Sequence, residues 1–152
     1  MLLLFAAALL VWGCKSKVEM PFASSATSAA PGGGPNYAAD LQRQKTLATL
    51  RALGLAYLSC LTTAPPRDEN DLKGFLEGPA KELRSARDQQ PLVVCYGVDP
   101  SRLPDGASAT LIAWEKTADN QGGRCVLYAD GRSAYLSRSD FEAAKKAKPA
   151  GQ

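Results

Sequence analysis

The chain predicts an α+β domain, one long helix packed on a small antiparallel sheet, and three observations predict it. Apolar residues recur mostly at three- and four-residue spacing over 37–61, the pattern of an amphipathic helix. From residue 92 onward the pattern changes to short runs of β-formers. Two of those runs, 125–128 and 133–136, flank Ala129-Asp130-Gly131-Arg132, and Asp-Gly is a strong signal for a two-residue hairpin turn.

The helix at 37–61 takes Leu41, Leu47, Leu50, Leu53, Tyr57, Leu58 and Leu61 as its inward side chains and leaves Arg43, Lys45 and Arg51 outside. Gly54 within it costs about 1 kcal/mol relative to alanine, which points to a close backbone approach, a bend or a tolerated surface glycine. Pro65-Pro66 ends the helix, because proline lacks an amide donor. Asp68-Glu69-Asn70-Asp71 then supplies the acceptors and negative charge of a helix start. A short helix is expected through Leu72, Phe75 and Leu76 to Gly78-Pro79, followed by a third helical piece over 79–87 carrying Leu83.

The sheet is expected to open at 92–96, to continue at 109–115, and to end in the hairpin. A two-residue turn would pair Leu127 with Ala134 and Cys125 with Leu136, so that Cys125, Leu127, Ala134 and Leu136 share the buried face. A C-terminal helix is expected from Ser139, with Lys145, Lys146 and Lys148 as its positive end. In a simple meander the 109–115 strand separates Cys95 from Cys125 by two strand spacings, about 9 to 10 Å. That exceeds the ~7 Å a disulfide tolerates. Cys60 could reach either one, or all three could be free thiols.

Ahead of this domain the sequence is of another kind. Residues 2–12 form an uncharged apolar run, short of the ~18 to 20 residues a helix needs to span a bilayer but of the length of a signal-peptide core. It ends in Val11-Trp12-Gly13-Cys14, which resembles the lipobox of bacterial lipoproteins. The resemblance implies a signal peptide over 1–13, cleavage before Cys14, acyl chains on Cys14 and a membrane as partner. The residue after the cysteine is not Asp, which resembles lipoproteins passed to the outer membrane. Residues 14–36 are rich in Ser, Ala, Pro and Gly and read as a disordered tether, about 25 Å in root-mean-square reach. Lys15 and Lys17 lie where anionic headgroups would be. Residues 148–152 read as a tail.

The C-terminal third carries a second resemblance. Glu115-Lys116, a polar loop, Gly122-Gly123, Val126-Leu127-Tyr128-Ala129-Asp130-Gly131, a short strand and Ser137 with Phe141-Glu142 follow one another in an order similar to the end of prepilin-like proteins related to the major pseudopilin of type II secretion. The resemblance covers roughly 47–144 and is best from residue 109. It implies a pilin-type head. Asn120 stands where that family has the histidine nine residues before Asp-Gly, and the chain contains no histidine. The N-terminus also lacks the family's long polymerising helix after a leader glycine, so bundling into a pilus is not expected.

Composition narrows the function classes. A net charge of +3, spread along the chain, gives no basic stripe for nucleic acid. Four cysteines without Cys-x-x-Cys spacing or histidine argue against a zinc site, and no cofactor is expected. An enzyme would have to be assembled from Glu115, Asp119, Asp130, Tyr96, Tyr128 and three cysteines, without a phosphate-binding loop or a nucleophile motif. The expectation is a non-catalytic structural or interaction module on a lipid anchor. The alternatives are a periplasmic ligand-binding lipoprotein, which would need a pocket lined by Trp114 and the tyrosines, and, further off, a hydrolytic enzyme.

Overall fold

The computed structural model describes residues 36–148. The expected signal peptide, Cys14, the tether up to residue 35 and the tail from residue 149 lie outside the described residues.

Helix α1 (Tyr37–Cys60) packs across a five-stranded sheet, of which β1 (Val93–Val94), β2 (Thr110–Trp114), β3 (Arg124–Tyr128) and β4 (Ser133–Leu136) follow one another as an antiparallel meander. The α+β architecture is the one the periodicity predicts. Asn36 caps α1 through its side chain, accepting from the Ala39 amide. Leu50, Leu53 and Tyr57 on the inner face are fully buried, and Thr46 and Cys60 extend that face. The inward list needs correction at Leu41 and Leu58, which are 53% and 38% exposed, and the outward list at Arg43, which is half-buried against the sheet.

Gly54 resolves to a close approach. A Cβ there would stand 3.0 Å from the Gly131 carbonyl oxygen and 3.0 Å from Leu127 Cδ1, so the helix rests directly on the hairpin turn.

The hairpin register is one residue off the expected one. Leu127 pairs with Ser133, Val126 with Ala134 and Cys125 with Tyr135. The loop holds three residues, because the Tyr128 amide still donates to the Arg132 carbonyl and the Gly131 amide closes a turn onto the Tyr128 carbonyl. Gly131, at φ 88°, takes the left-handed position that follows a type I turn in this loop. Asp-Gly serves both turn types, so the dipeptide alone did not distinguish them. In consequence Tyr135, not Ala134 or Leu136, lies with Cys125 and Leu127 on the α1 face. Ala134 and Leu136 join Val126 on the other face.

A bulge in β2 explains its unbroken apolar run. The register with β3 shifts between Leu111 and Ala113. Leu111 therefore packs with Val126 and Phe141 on one face, while Ile112 and Ala113 both enter the main core.

The remaining elements depart from expectation mainly in length. Asp68 caps α2 (Glu69–Lys73), accepting from the Asn70 and Asp71 amides, but α2 ends at Gly74, leaving Leu72 and Leu76 buried and Phe75 54% exposed. The piece expected to be helical over 79–87 is a single 3₁₀ turn, Gly78–Glu82. It stops at Leu83, which is buried at φ 47°, and the chain then folds back so that Arg84 bridges Pro91. The first strand covers only two of the five residues expected. Helix α3 (Arg138–Ala143) starts one residue early, with Ser137 as its cap. Lys145 and Lys146 do not extend it. They form β5 (Lys145–Lys146), a parallel strand on the edge of β2, and Lys146 reaches back to donate to the Phe141 and Ala144 carbonyls. Its ammonium thus meets the helix C-terminus as the charge pattern suggested, from a strand.

Cys60, Cys95 and Cys125 are buried free thiols, and β2 lies between β3, which holds Cys125, and the segment holding Cys95.

Candidate functional site

The densest group of polar side chains lies beneath the N-terminal half of α1, where the 115–123 loop meets the 85–89 turn. Glu115 follows β2 directly and is anchored there by its amide, which donates to the Cys125 carbonyl at 3.0 Å. Strand alternation turns its side chain inward, where it is 3% exposed. Its carboxylate accepts from the Ser85 hydroxyl at 2.6 Å and from the Cys125 amide at 2.8 Å, and Arg87 Nε stands 3.9 Å away. Ser85 also accepts from the Arg87 amide, and the Thr46 hydroxyl of α1 accepts from the Ala86 amide. Arg87 then spans to the loop, donating to the Thr117 and Ala118 carbonyls at 2.7 Å each. Asp88 completes this edge, accepting from the Thr117 hydroxyl and the Gln90 amide.

Asp119 organises the other side. Its carboxylate accepts from the Gln121 and Gly123 amides at 2.9 Å and from the Tyr135 hydroxyl at 2.6 Å, and Arg43 lies 3.6 Å away. The Arg43 guanidinium also stacks 4.0 Å above the Tyr135 ring. Burial acting alone would raise the Asp119 pKa, but these hydrogen bonds and the Arg43 charge outweigh it and hold the carboxyl below its ordinary value. Burial, followed by the bond to Asp119, pushes the Tyr135 hydroxyl up. Burial, followed by the charge of Glu115, pushes the Cys125 thiol strongly up. Both protons therefore stay in place at neutral pH.

Between the two groups is a cavity of about 30 Å³, lined by Ala39, Arg43, Arg87, Glu115, Asp119, Cys125 and Tyr135. That volume admits a water molecule and not an organic substrate. Among the described residues, no buried side-chain nitrogen or oxygen is left without a partner, and no three His, Cys, Asp or Glu side chains are grouped to hold a metal ion. The arrangement ties α1, the 85–89 turn and the 115–123 loop to one another. It is a clamp.

The structure thus brings together three of the residues from which an enzyme would have been assembled, Glu115, Asp119 and Cys125. The others are elsewhere. Asp130 serves the hairpin turn, pairing with Arg132 at 2.7 Å, and Tyr128 lies under that same guanidinium. Tyr96 is held near Asp68 and Glu69, and burial, then those charges, pushes its pKa to about 12. Asn120 is exposed, and its neighbour Asp119 is the residue that turns inward. Among the described residues, the aromatic side chains that a ligand-binding lipoprotein would use do not line one pocket. Trp114 packs edge-on against Phe141, with ring centroids 6.1 Å apart, and Tyr57 is enclosed in the core. Arg43, Ser85, Arg87 and Tyr135 were not singled out from the sequence. The one available signal was Tyr135, an amphipathic residue that a corrected register places beside Cys125.

The Asp119 arrangement predicts an acid-sensitive element. A depressed folded pKa contributes stability at pH above the unfolded value of about 3.8, and this is lost as pH falls through the lower folded value. Urea midpoints measured against pH should show the wild type losing stability below about pH 4 more steeply than Asp119→Asn. Parallel curves would mean that the carboxylate is not preferentially stabilised by folding.

Comparison of the chain with protein-family models, with curated protein sequences and with solved structures finds no match.

Proposed function

We propose that the chain is a membrane-anchored lipoprotein whose head is pseudopilin-like and serves a structural or interaction role at the cell envelope, without catalysis. The observation that carries the anchoring is Val11-Trp12-Gly13-Cys14 at the end of a short apolar run, followed at once by a tether poor in apolar residues. The three describe one device. Two or three acyl chains hold a protein to a bilayer where a single chain would leave reversibly, and a flexible tether uncouples the head from the surface. The head reading is supported by the order of a long helix, an antiparallel meander, an Asp-Gly hairpin and a short C-terminal helix. A non-catalytic role is supported by the clamp, in which Glu115 and Asp119 are each taken up by neighbouring hydroxyls and backbone amides, around a cavity of about 30 Å³. No helix among the described residues is long and apolar enough to cross a membrane, so attachment in this reading rests on Cys14. Exposure on the outer membrane is the location that the residue after Cys14 favours.

The test is the chain expressed with its own N-terminus, with and without Cys14→Ser, followed by membrane fractionation and intact mass. Wild type is expected in the outer-membrane fraction with acyl mass on Cys14, and the variant uncleaved and without it. Identical partition of both, with no acyl mass at residue 14, overturns the anchored reading.

A further inference from the structure

We propose that the groove between α1 and the 77–89 segment is a binding site for a short peptide with both ends free, its carboxylate and its ammonium each held by charges of the groove. The proposal goes beyond the anchored-module reading and does not depend on the lipid anchor. The groove has a volume of about 530 Å³, within the roughly 300 to 1,000 Å³ of small-molecule sites. Its lining is of two kinds. Ala48, Pro79 and Ala80 are small and apolar and leave room between the walls, while Lys45, Arg84, Glu77 and Glu82 bring charges of both signs. Among the described residues none of these charged side chains is in an ion pair. Opposite charges that share a groove and do not reach one another are complementary to a ligand that carries both. An anion alone would meet Glu77 and Glu82, and a cation alone would meet Lys45 and Arg84.

The two signs are segregated. The Ala86 amide donates to the Thr46 hydroxyl at 3.0 Å and fastens the segment to α1. Lys45 and Arg84 flank that tie, one on each wall, and make it the positive end. Glu77 and Glu82 bracket the 3₁₀ turn that forms the rest of the facing wall. A bound peptide therefore lies with its carboxylate beside Lys45 and Arg84 and its ammonium toward the turn. The wall is also fixed in advance. Leu83 and Gln89 hold left-handed backbone, φ 47° and 57°, a conformation that costs a non-glycine residue free energy and persists only where its surroundings impose it. Leu83 is buried and its carbonyl accepts from the Leu92 amide at 2.7 Å, while the Gln89 carbonyl accepts from the Arg84 guanidinium at 2.8 Å. The clamp thereby gains a second face. Its own cavity holds no more than a water molecule, but Thr46, Ser85 and Arg87 hold in place the neighbours that form the groove. A wall ordered before binding spares the ligand the cost of ordering it.

The probe is tri-alanine, compared with its N-acetylated and its C-amidated forms. Each is titrated into the isotope-labelled full chain carrying Cys14→Ser and followed through the backbone amide resonances. The free peptide is expected to shift the amides of Ala48, Thr49, Ala86 and Gln89 saturably. Blocking either end should weaken binding about fivefold, the upper end for an exposed charge pair. Lys45→Gln should remove most of the difference between the free and amidated forms while the acetylated form stays the weaker. Glu77→Gln with Glu82→Gln should do the reverse. These side chains are exposed, so circular dichroism should show the fold retained. Absence of a saturable shift at the groove amides overturns the proposal. So does equal binding of the three peptides, or discrimination that survives the substitutions. Acylation at Cys14, read by fractionation, is unaffected by any of these results, so failure of one reading is distinguishable from failure of the other.

Discussion

Replacing Glu115 by alanine is expected to destabilise the domain by about 3 to 5 kcal/mol, the range for removing one partner of a buried, hydrogen-bonded charge pair. The loss is large because the carboxylate serves three groups at once. Without it the Ser85 hydroxyl and the Cys125 amide lose their acceptor, and Arg87 loses the anion beneath it. Since a domain of this size is stable by only about 5 to 15 kcal/mol, the effect would be plain in a urea titration. Glu115→Gln keeps an acceptor oxygen for the Cys125 amide and turns the Ser85 hydroxyl from donor to acceptor of the new NH2 group, and should cost roughly half as much. An alanine variant within about 1 kcal/mol of wild type would show that the clamp contributes little to folding.

Tyr57→Ala should cost a similar amount, about 3 to 5 kcal/mol, through a different cause. The side chain is fully buried between helix and sheet, so its removal leaves a cavity where the core cannot close. Its hydroxyl also fastens the loop after β1. It donates toward the Cys95 and Val98 carbonyls, 3.2 and 3.1 Å away, and accepts from the Val98 amide at 3.0 Å. Tyr57→Phe separates the two contributions, keeping the packing and losing about 1 to 3 kcal/mol for the buried amide left without an acceptor. A pH signature accompanies it. Burial first, offset in part by the bond with Val98, pushes the phenol from 10.0 to about 12. The raised value contributes stability that is present below pH 10 and lost as pH rises through about 12. Unfolding curves across that window should fall more steeply for wild type than for Tyr57→Phe. If they coincide, the hydroxyl is not sequestered in the folded state.

What was legible in the sequence was the periodicity. The switch from helical to strand spacing gave the long helix, the small antiparallel sheet and its hairpin, because helix and strand are set by the period at which side chains alternate. Local chemistry placed a helix start at Asp68-Glu69-Asn70-Asp71, where Asp68 is the cap, since an N-cap needs only its own next three residues. What escaped was set by partners distant in the chain. The three-residue loop and the bulge in β2 each shift a strand by one position, and a one-residue shift exchanges its faces. That is why a two-residue turn, which sets Leu136 opposite Cys125, misses Tyr135 as the residue that stands there. Lys145 and Lys146 carry no strand pattern of their own and are extended because Leu111 offers them a free edge. The clamp was only half visible. Glu115 and Asp119 drew notice as carboxylates, but Arg43 read as a solvated helix charge and Arg87 as the end of a helix that does not form.

The contact between Gly54 and the hairpin turn bears on how this chain can change over generations. Most tight contacts in a protein can be relieved by trimming the neighbour, so that a larger residue at one position becomes acceptable once a smaller one appears at another. Here Leu127 is such a neighbour, but Gly131 is not, because the atoms that would be struck are its carbonyl oxygen and its Cα. No substitution removes main-chain atoms. Gly131 is itself held to glycine twice over, by its left-handed backbone and by Leu58 Cδ1, which would lie 3.0 Å from a side chain there. Position 54 therefore has no single compensating partner, and escape from glycine requires the helix to lift from the turn. Related chains that keep this helix on this hairpin should keep small residues at both positions while the side chains around them vary.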